Sequence, residues 1–173
     1  MSLPDFLTAG AVEAAPLLLG YKLVHHSPDG NVSGIIVETE AYNMLDAASH
    51  SFKGETVRTK PMFDRAGTIY VYFTYGMHYC MNIVTGSVGQ GEAVLIRALQ
   101  PVEGIAIMQQ KREDKAIEQK GNPRKMFPLK ENLRRAKPPT MKIVLLDTRE
   151  SNTHLKMSRM EKLFLLKTTK IKI

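Results

Sequence analysis

The sequence predicts an α+β domain built on an antiparallel sheet, and three observations carry the prediction. Ser27-Pro28-Asp29-Gly30-Asn31 stands between two apolar stretches and reads as a hairpin turn, with Pro setting φ and Gly taking a left-handed conformation. Three short β-rich runs follow, divided by Tyr75-Gly76 and by the glycines between 86 and 91, which is the spacing of a meander. Helical periodicity flanks this region, in residues 4–19 and again after Pro101.

Taken in order, residues 4–19 read as a helix with Ala11, Val12, Ala15 and Leu18-Leu19 on its apolar side and Gly20 as its stop. Pro16 is expected to kink or split it. Tyr21 to His26 and Val32 to Glu40 form the arms of the hairpin. Ala41 to Ala66 has little periodicity and reads as a long ordered loop with one helical turn, a type that usually serves function. Thr68 to Thr74, His78 to Val84 and Glu92 to Ala98 are strands. Pro101, at a first helical position, is expected to begin a helix running to about Lys111. Beyond it, Lys142 to Asp147 reads as a strand and His154 to Leu166 as a weak helix.

A length of 173 residues, 43% of them hydrophobic, suits one domain with a real core. No apolar run reaches the ~18 residues of a membrane span, and Leu17-Leu18-Leu19 is too short for a signal-peptide core. Cys80 is the single cysteine, so no intrachain disulfide forms and an intracellular setting is expected. The net charge of +7 is unevenly placed. Residues 1–110 hold six Lys/Arg against ten Asp/Glu, and residues 111–173 hold eighteen against seven. Attraction to nucleic acid would therefore rest on the last third.

The chemistry concentrates between Gly34 and Arg97, where two acids end an apolar strand, four tyrosines crowd the middle and one arginine ends another strand. The pattern resembles a pocket for a flat ring with a carboxylate beside it. Glu38 and Glu40 share a face by strand alternation. Glu40 reads either as a solvated strand edge or as a general base that deprotonates water. Tyr70 and Tyr72 alternate and suit the face of a sheet, whereas Tyr75 beside Gly76 suits an exposed tip that meets a flat partner. Arg97, after Val94-Leu95-Ile96, needs an anion, and Glu40 is available. The five histidines lack zinc spacing, no phosphate-binding glycine loop or nucleophile elbow is present, and Cys80 reads as a small buried apolar residue.

Val37-Glu38-Thr39-Glu40-Ala41-Tyr42, Ala48-Ser49-His50, Met62-Phe63 with Ala66-Gly67-Thr68-Ile69-Tyr70-Val71-Tyr72, Tyr75-Gly76-Met77-His78-Tyr79-Cys80-Met81-Asn82 and Val94-Leu95-Ile96-Arg97-Ala98 together resemble the alkyladenine (3-methyladenine) DNA glycosylases. The likeness extends over about residues 8–112. It implies a single compact domain with a curved antiparallel sheet and flanking helices. It implies excision of alkylated or deaminated purines, of the 3-methyladenine and hypoxanthine class, by hydrolysis of the N-glycosidic bond, with no metal and no cofactor. The implied partner is double-stranded DNA carrying a damaged purine, met by a monomer that works beside the DNA of the cell. By position, Glu40 resembles the general base and Arg97 its partner in holding the attacking water. Tyr42, His50 and Tyr72 resemble the walls around the flipped base, and Asn82 the floor that disfavours the amino group of guanine. Tyr75 and Met77 resemble the residues that enter the duplex.

After residue 112 the likeness ends. The glycine-rich segment and closing strands of the family give way to Leu129-Lys130-Glu131-Asn132-Leu133-Arg134-Arg135-Ala136 and lysine-rich sequence. The expectation is a glycosylase-like domain over 1–130, incomplete relative to the family, and a divergent basic segment over 131–173, as a truncated or frame-shifted gene copy would encode. Loss of the closing strands would open a sheet edge and a core face, which makes a non-catalytic DNA-binding remnant the alternative to an active enzyme.

Overall fold

Among the described residues, six strands form one curved antiparallel sheet: β1 (Tyr21–Ser27), β2 (Gly30–Tyr42), β3 (Ile69–Thr74), β4 (His78–Val84), β5 (Ala93–Glu103) and β6 (Lys142–Asp147). Their order is β3-β4-β5-β2-β1-β6. The coordinates, a computed structural model, describe residues 4–74, 78–120 and 142–147. The fold is α+β, as the sequence predicts. The hairpin and the meander are the two halves of the sheet, joined where β2 pairs with β5. That junction brings the acids at the end of β2 beside the arginine of β5.

One sheet face packs on α1 (Ala11–Leu17). Ile36, Met81, Ile83, Val94, Ile96 and Leu99 meet Ala11, Ala14, Ala15 and Leu18 there in one core. The opposite face holds a smaller cluster of Met62, Phe63, Tyr70, Val84 and Ala93, with Tyr72 against it. Strand alternation produces this division: Ile69 and Val71 point to the helix, and Tyr70 and Tyr72 point away from it.

Three expectations are corrected. The single helix over 4–19 is a 3-10 turn (Asp5–Thr8) followed by α1. The break lies at Gly10, whose backbone is extended (ψ 163°), and the Glu92 carboxylate takes the freed Ala11 N–H at 2.7 Å. Pro16 lies inside α1, where it removes the bond to the Val12 carbonyl, and the helix ends one residue later. Pro101 belongs to β5 opposite Gly34 and starts no helix. A Pro is permitted there because β4 pairs only with residues 93–95 of β5, and because the register shifts between Ser33 and Gly34. Gly104 (φ 71°) then turns the chain into α2 (Ile105–Lys120). Cys80 stands opposite Tyr72 and is half-buried, outside the main core.

The stretch read as a strand at 142–147 is one, adding an edge to β1 with Leu145 opposite Leu23. The helix expected over 154–166 lies outside the described residues. Among the described residues no helix is long and apolar enough to cross a membrane.

Candidate functional site

A row of directly opposed residues crosses four strands on the face away from α1: Glu40 of β2, Leu95 of β5, Asn82 of β4 and Tyr70 of β3. Directly opposed residues point to the same side of a sheet. The topology therefore gathers on one surface an acid, a phenol and an amide drawn from positions 40, 70 and 82 of the sequence.

β2 and β5 each carry an irregularity at this place. Ile36 pairs with Leu99 and Glu38 with Ala98, which leaves Val37 extra; Thr39 then pairs with Ile96, which leaves Arg97 extra. The two bulges compensate, so the ladder regains its register at Glu40 opposite Leu95. Without them Ile96 and Leu99, three positions apart, could not both enter the core beside α1. Bulges re-aim side chains beside functional sites, and here the extra residue is the arginine.

Arg97 Nε lies 3.1 Å from Glu40 Oε1 and 4.0 Å from Glu38 Oε1. The Tyr42 hydroxyl donates to Glu40 Oε2 at 2.7 Å. Both carboxylate oxygens of Glu40 thus have a fixed donor, and each keeps lone-pair capacity for a further one. The same hydrogen bond, then burial, pushes the Tyr42 phenol up to about 12. The Glu40 side chain remains 38% exposed, so solvent reaches it.

Beside this group lies an aromatic cluster. His50 and Tyr72 rings are 4.3 Å apart, and the His50 Nδ1 and Tyr70 hydroxyl are 2.9 Å apart. Burial, with a smaller contribution from the Arg58 charge, lowers the His50 pKa and favours its neutral ring. Burial raises both Tyr70 and Tyr72, and Tyr72 is raised further by the Cys80 thiol and by Tyr42. Asn82 is buried, and its Nδ2 donates to the Tyr70 carbonyl at 3.1 Å, which sets the orientation of the amide.

His50 comes from the long loop, held by its own polar residues. Ser51 is fully buried and donates to the Gly91 carbonyl at 2.5 Å; Ser49 Oγ lies 2.7 Å from Ser51 Oγ. Asn43 and Asp46 side chains accept backbone N–H groups of Leu45, Asp46 and Ala48 as Asx turns. A Cβ on Gly91 would lie 2.5 Å from Ser51 Cβ and 2.7 Å from Phe63, so only glycine admits this docking.

Of the residues singled out from sequence, Glu40, Arg97, Tyr42, His50, Tyr72 and Asn82 lie on this one surface. Tyr75 and Met77 lie outside the described residues. Sequence reasoning missed Tyr70 as the partner of His50, the Ser49–Ser51–Gly91 brace, and Arg58, whose guanidinium stands 5.8 Å from the Tyr72 ring centroid. Arg58 is one of only six cations in the first 110 residues, which was the available signal.

Comparison with known proteins follows the same lines. The family model described as methylpurine-DNA glycosylase matches residues 5–170. A protein of Francisella tularensis subsp. tularensis (strain WY96-3418) is 52% identical over 108 residues, covering 62% of this chain and 56% of the relative. One of Carboxydothermus hydrogenoformans is 49% identical over 117 residues (67% and 61%). One of Methanoculleus marisnigri is 50% identical over 113 residues (65% and 58%). All three carry the name "Putative 3-methyladenine DNA glycosylase". The chain spans less than two thirds of the length of these relatives.

Proposed function

Because the chain belongs to the methylpurine-DNA glycosylase family, we propose that it is a DNA repair glycosylase that removes alkylated or deaminated purines, 3-methyladenine and hypoxanthine among them. The substrate is double-stranded DNA, the protein acts as a monomer beside the DNA of the cell, and the damaged nucleotide leaves the stack to be reached. Tyr42 on one side and His50 with Tyr72 on the other hold the base, and Asn82 lies beneath it. Tyr75 and Met77 fill the gap in the duplex. Residues 1–130 carry this machinery, and the basic residues of 131–173 add salt-sensitive attraction to DNA.

The chemistry needs little beyond position and one activated water. An alkylated purine is cationic, stacks well on electron-rich rings and departs readily. Water attacks the anomeric carbon as the N-glycosidic bond breaks; the bonding pair leaves with the base, and Glu40 takes the proton of the water. Arg97 and Tyr42 hold the carboxylate for that transfer. Fixed orientation replaces the reorganisation that solvent would otherwise require.

The observation that supports this reading above others is the Glu40 carboxylate, pinned by Tyr42 and Arg97 at the end of the row that contains Asn82. The test is a strand-nicking assay on duplexes carrying hypoxanthine or a 3-methyladenine analogue. The parent is expected to create alkali-labile sites. Glu40→Gln is expected to slow release ~10²–10⁴-fold while keeping affinity for damaged DNA. Binding without nicking by the parent would establish the non-catalytic reading instead.

A further inference from the structure

Arg58 is exposed but not loosely placed. It adjoins buried Thr59, whose hydroxyl accepts the Thr56 N–H at 2.9 Å, while the Thr56 hydroxyl accepts the Thr59 N–H at 3.2 Å. The Lys60 N–H closes the turn on the Thr56 carbonyl at 2.8 Å. This turn presents the guanidinium to the Tyr72 ring, 5.8 Å from its centroid. Tyr72 in turn touches His50, and His50 meets Tyr70. The Arg58 charge acts on both His50 and Tyr70. One permanent cation therefore stands against the Tyr72 ring, and its field reaches His50 and Tyr70.

A ring that already faces a cation is a weaker platform for a second one, because both draw on the same quadrupole and repel each other. A neutral purine suffers neither penalty. We propose that Arg58 is a specificity-determining residue that disfavours cationic alkylpurines relative to neutral deaminated purines in this pocket, an inference that rests on the glycosylase reading above. Burial chiefly, with the Arg58 charge adding to it, favours the uncharged ring of His50, which leaves Arg58 as the fixed cation of the cluster.

The test compares release of 3-methyladenine from methylated duplex with release of hypoxanthine from an inosine-containing duplex, in the parent, Arg58→Gln and Arg58→Lys. In Arg58→Gln the ratio of kcat/KM for the cationic over the neutral lesion is expected to rise about three- to tenfold, the size of a screened contact at an exposed site. Arg58→Lys, which keeps the charge, is expected to stay near the parental ratio. Equal changes for both lesions in Arg58→Gln would assign Arg58 to general DNA contact and overturn the inference. So would equal shifts of the ratio in both variants, since charge would then not be the cause. If the parent releases neither base, the glycosylase reading falls and this inference falls with it.

Discussion

Arg97 stands at the bulge of β5, and its Nε meets the Oε1 of Glu40 at 3.1 Å. The pair joins two strands that the chain separates by the whole of the long loop and the meander. Its geometry depends on the compensating bulge at Val37, since a regular ladder would move Arg97 relative to Glu40.

Arg97→Ala is expected to lower kcat/KM for base release by about ten- to a hundredfold, the worth of a charge-assisted hydrogen bond at ~1.5–3 kcal/mol. Arg97→Lys, which keeps the charge but loses the planar fork, is expected to recover only part of it. Single-turnover kinetics on hypoxanthine duplex measure both; a parental rate in Arg97→Ala would remove Arg97 from the site.

Tyr42→Phe deletes the donor to Glu40 Oε2 and is expected to reduce release about tenfold. It also changes alkaline stability. The native Tyr42 value is raised from 10.0 to about 12, so its contribution is fully present below pH 10 and is lost as pH rises through about 12. Urea midpoints measured from pH 8 upward should show the parent's advantage over Tyr42→Phe shrinking above pH 10. A constant difference would contradict the assigned cause.

His50 has the opposite linkage. Its native pKa lies below 6.5, so its contribution is fully present above that value and is lost as pH falls beneath it, where the unfolded chain binds the proton more readily. His25 is shifted in the same direction by burial, so the parent must be compared with His50→Gln. Melting temperatures at pH 7.5 and pH 5.5 should fall more in the parent than in the variant. Equal falls would show that His50 does not titrate in this way.

Gly91→Ala places a methyl group within 2.7 Å of Ser51 and Phe63. The overpacking is expected to cost ~1–3 kcal/mol, read as a lowered denaturation midpoint, and to weaken lesion binding by displacing the His50 segment. Ser51→Ala leaves space but strips the Gly91 carbonyl of its donor, at a similar ~1–3 kcal/mol. An unchanged midpoint in both would mean that the brace does not hold the loop.

Much of the architecture was legible because its signals are local. Pro28 to Gly30 announces the hairpin, the alternation of Tyr70 and Tyr72 with Ile69 and Val71 announces a two-faced strand, and the glycines of 86–91 announce a turn. Pro101 misled because proline suits both a helix start and a bulged strand without β4 beside it, and only the partner strand distinguishes them. Gly10 escaped notice as a break because the acid that receives the freed Ala11 N–H is Glu92, 81 residues away.

The order of residues alone determined which chemical groups this protein owns and which strands could carry them, since backbone preference and side-chain periodicity act over a few neighbours. The lineage, too, could be read from its short blocks. Which groups meet was decided only on folding. The pairing of β2 with β5 set Glu40 against Arg97, the row across the strands set Asn82 on the same face as Glu40, and the docking of Ser51 on Gly91 carried His50 to Tyr70 and Tyr72. Register and bulges are properties of two strands together, and no single stretch of chain contains them.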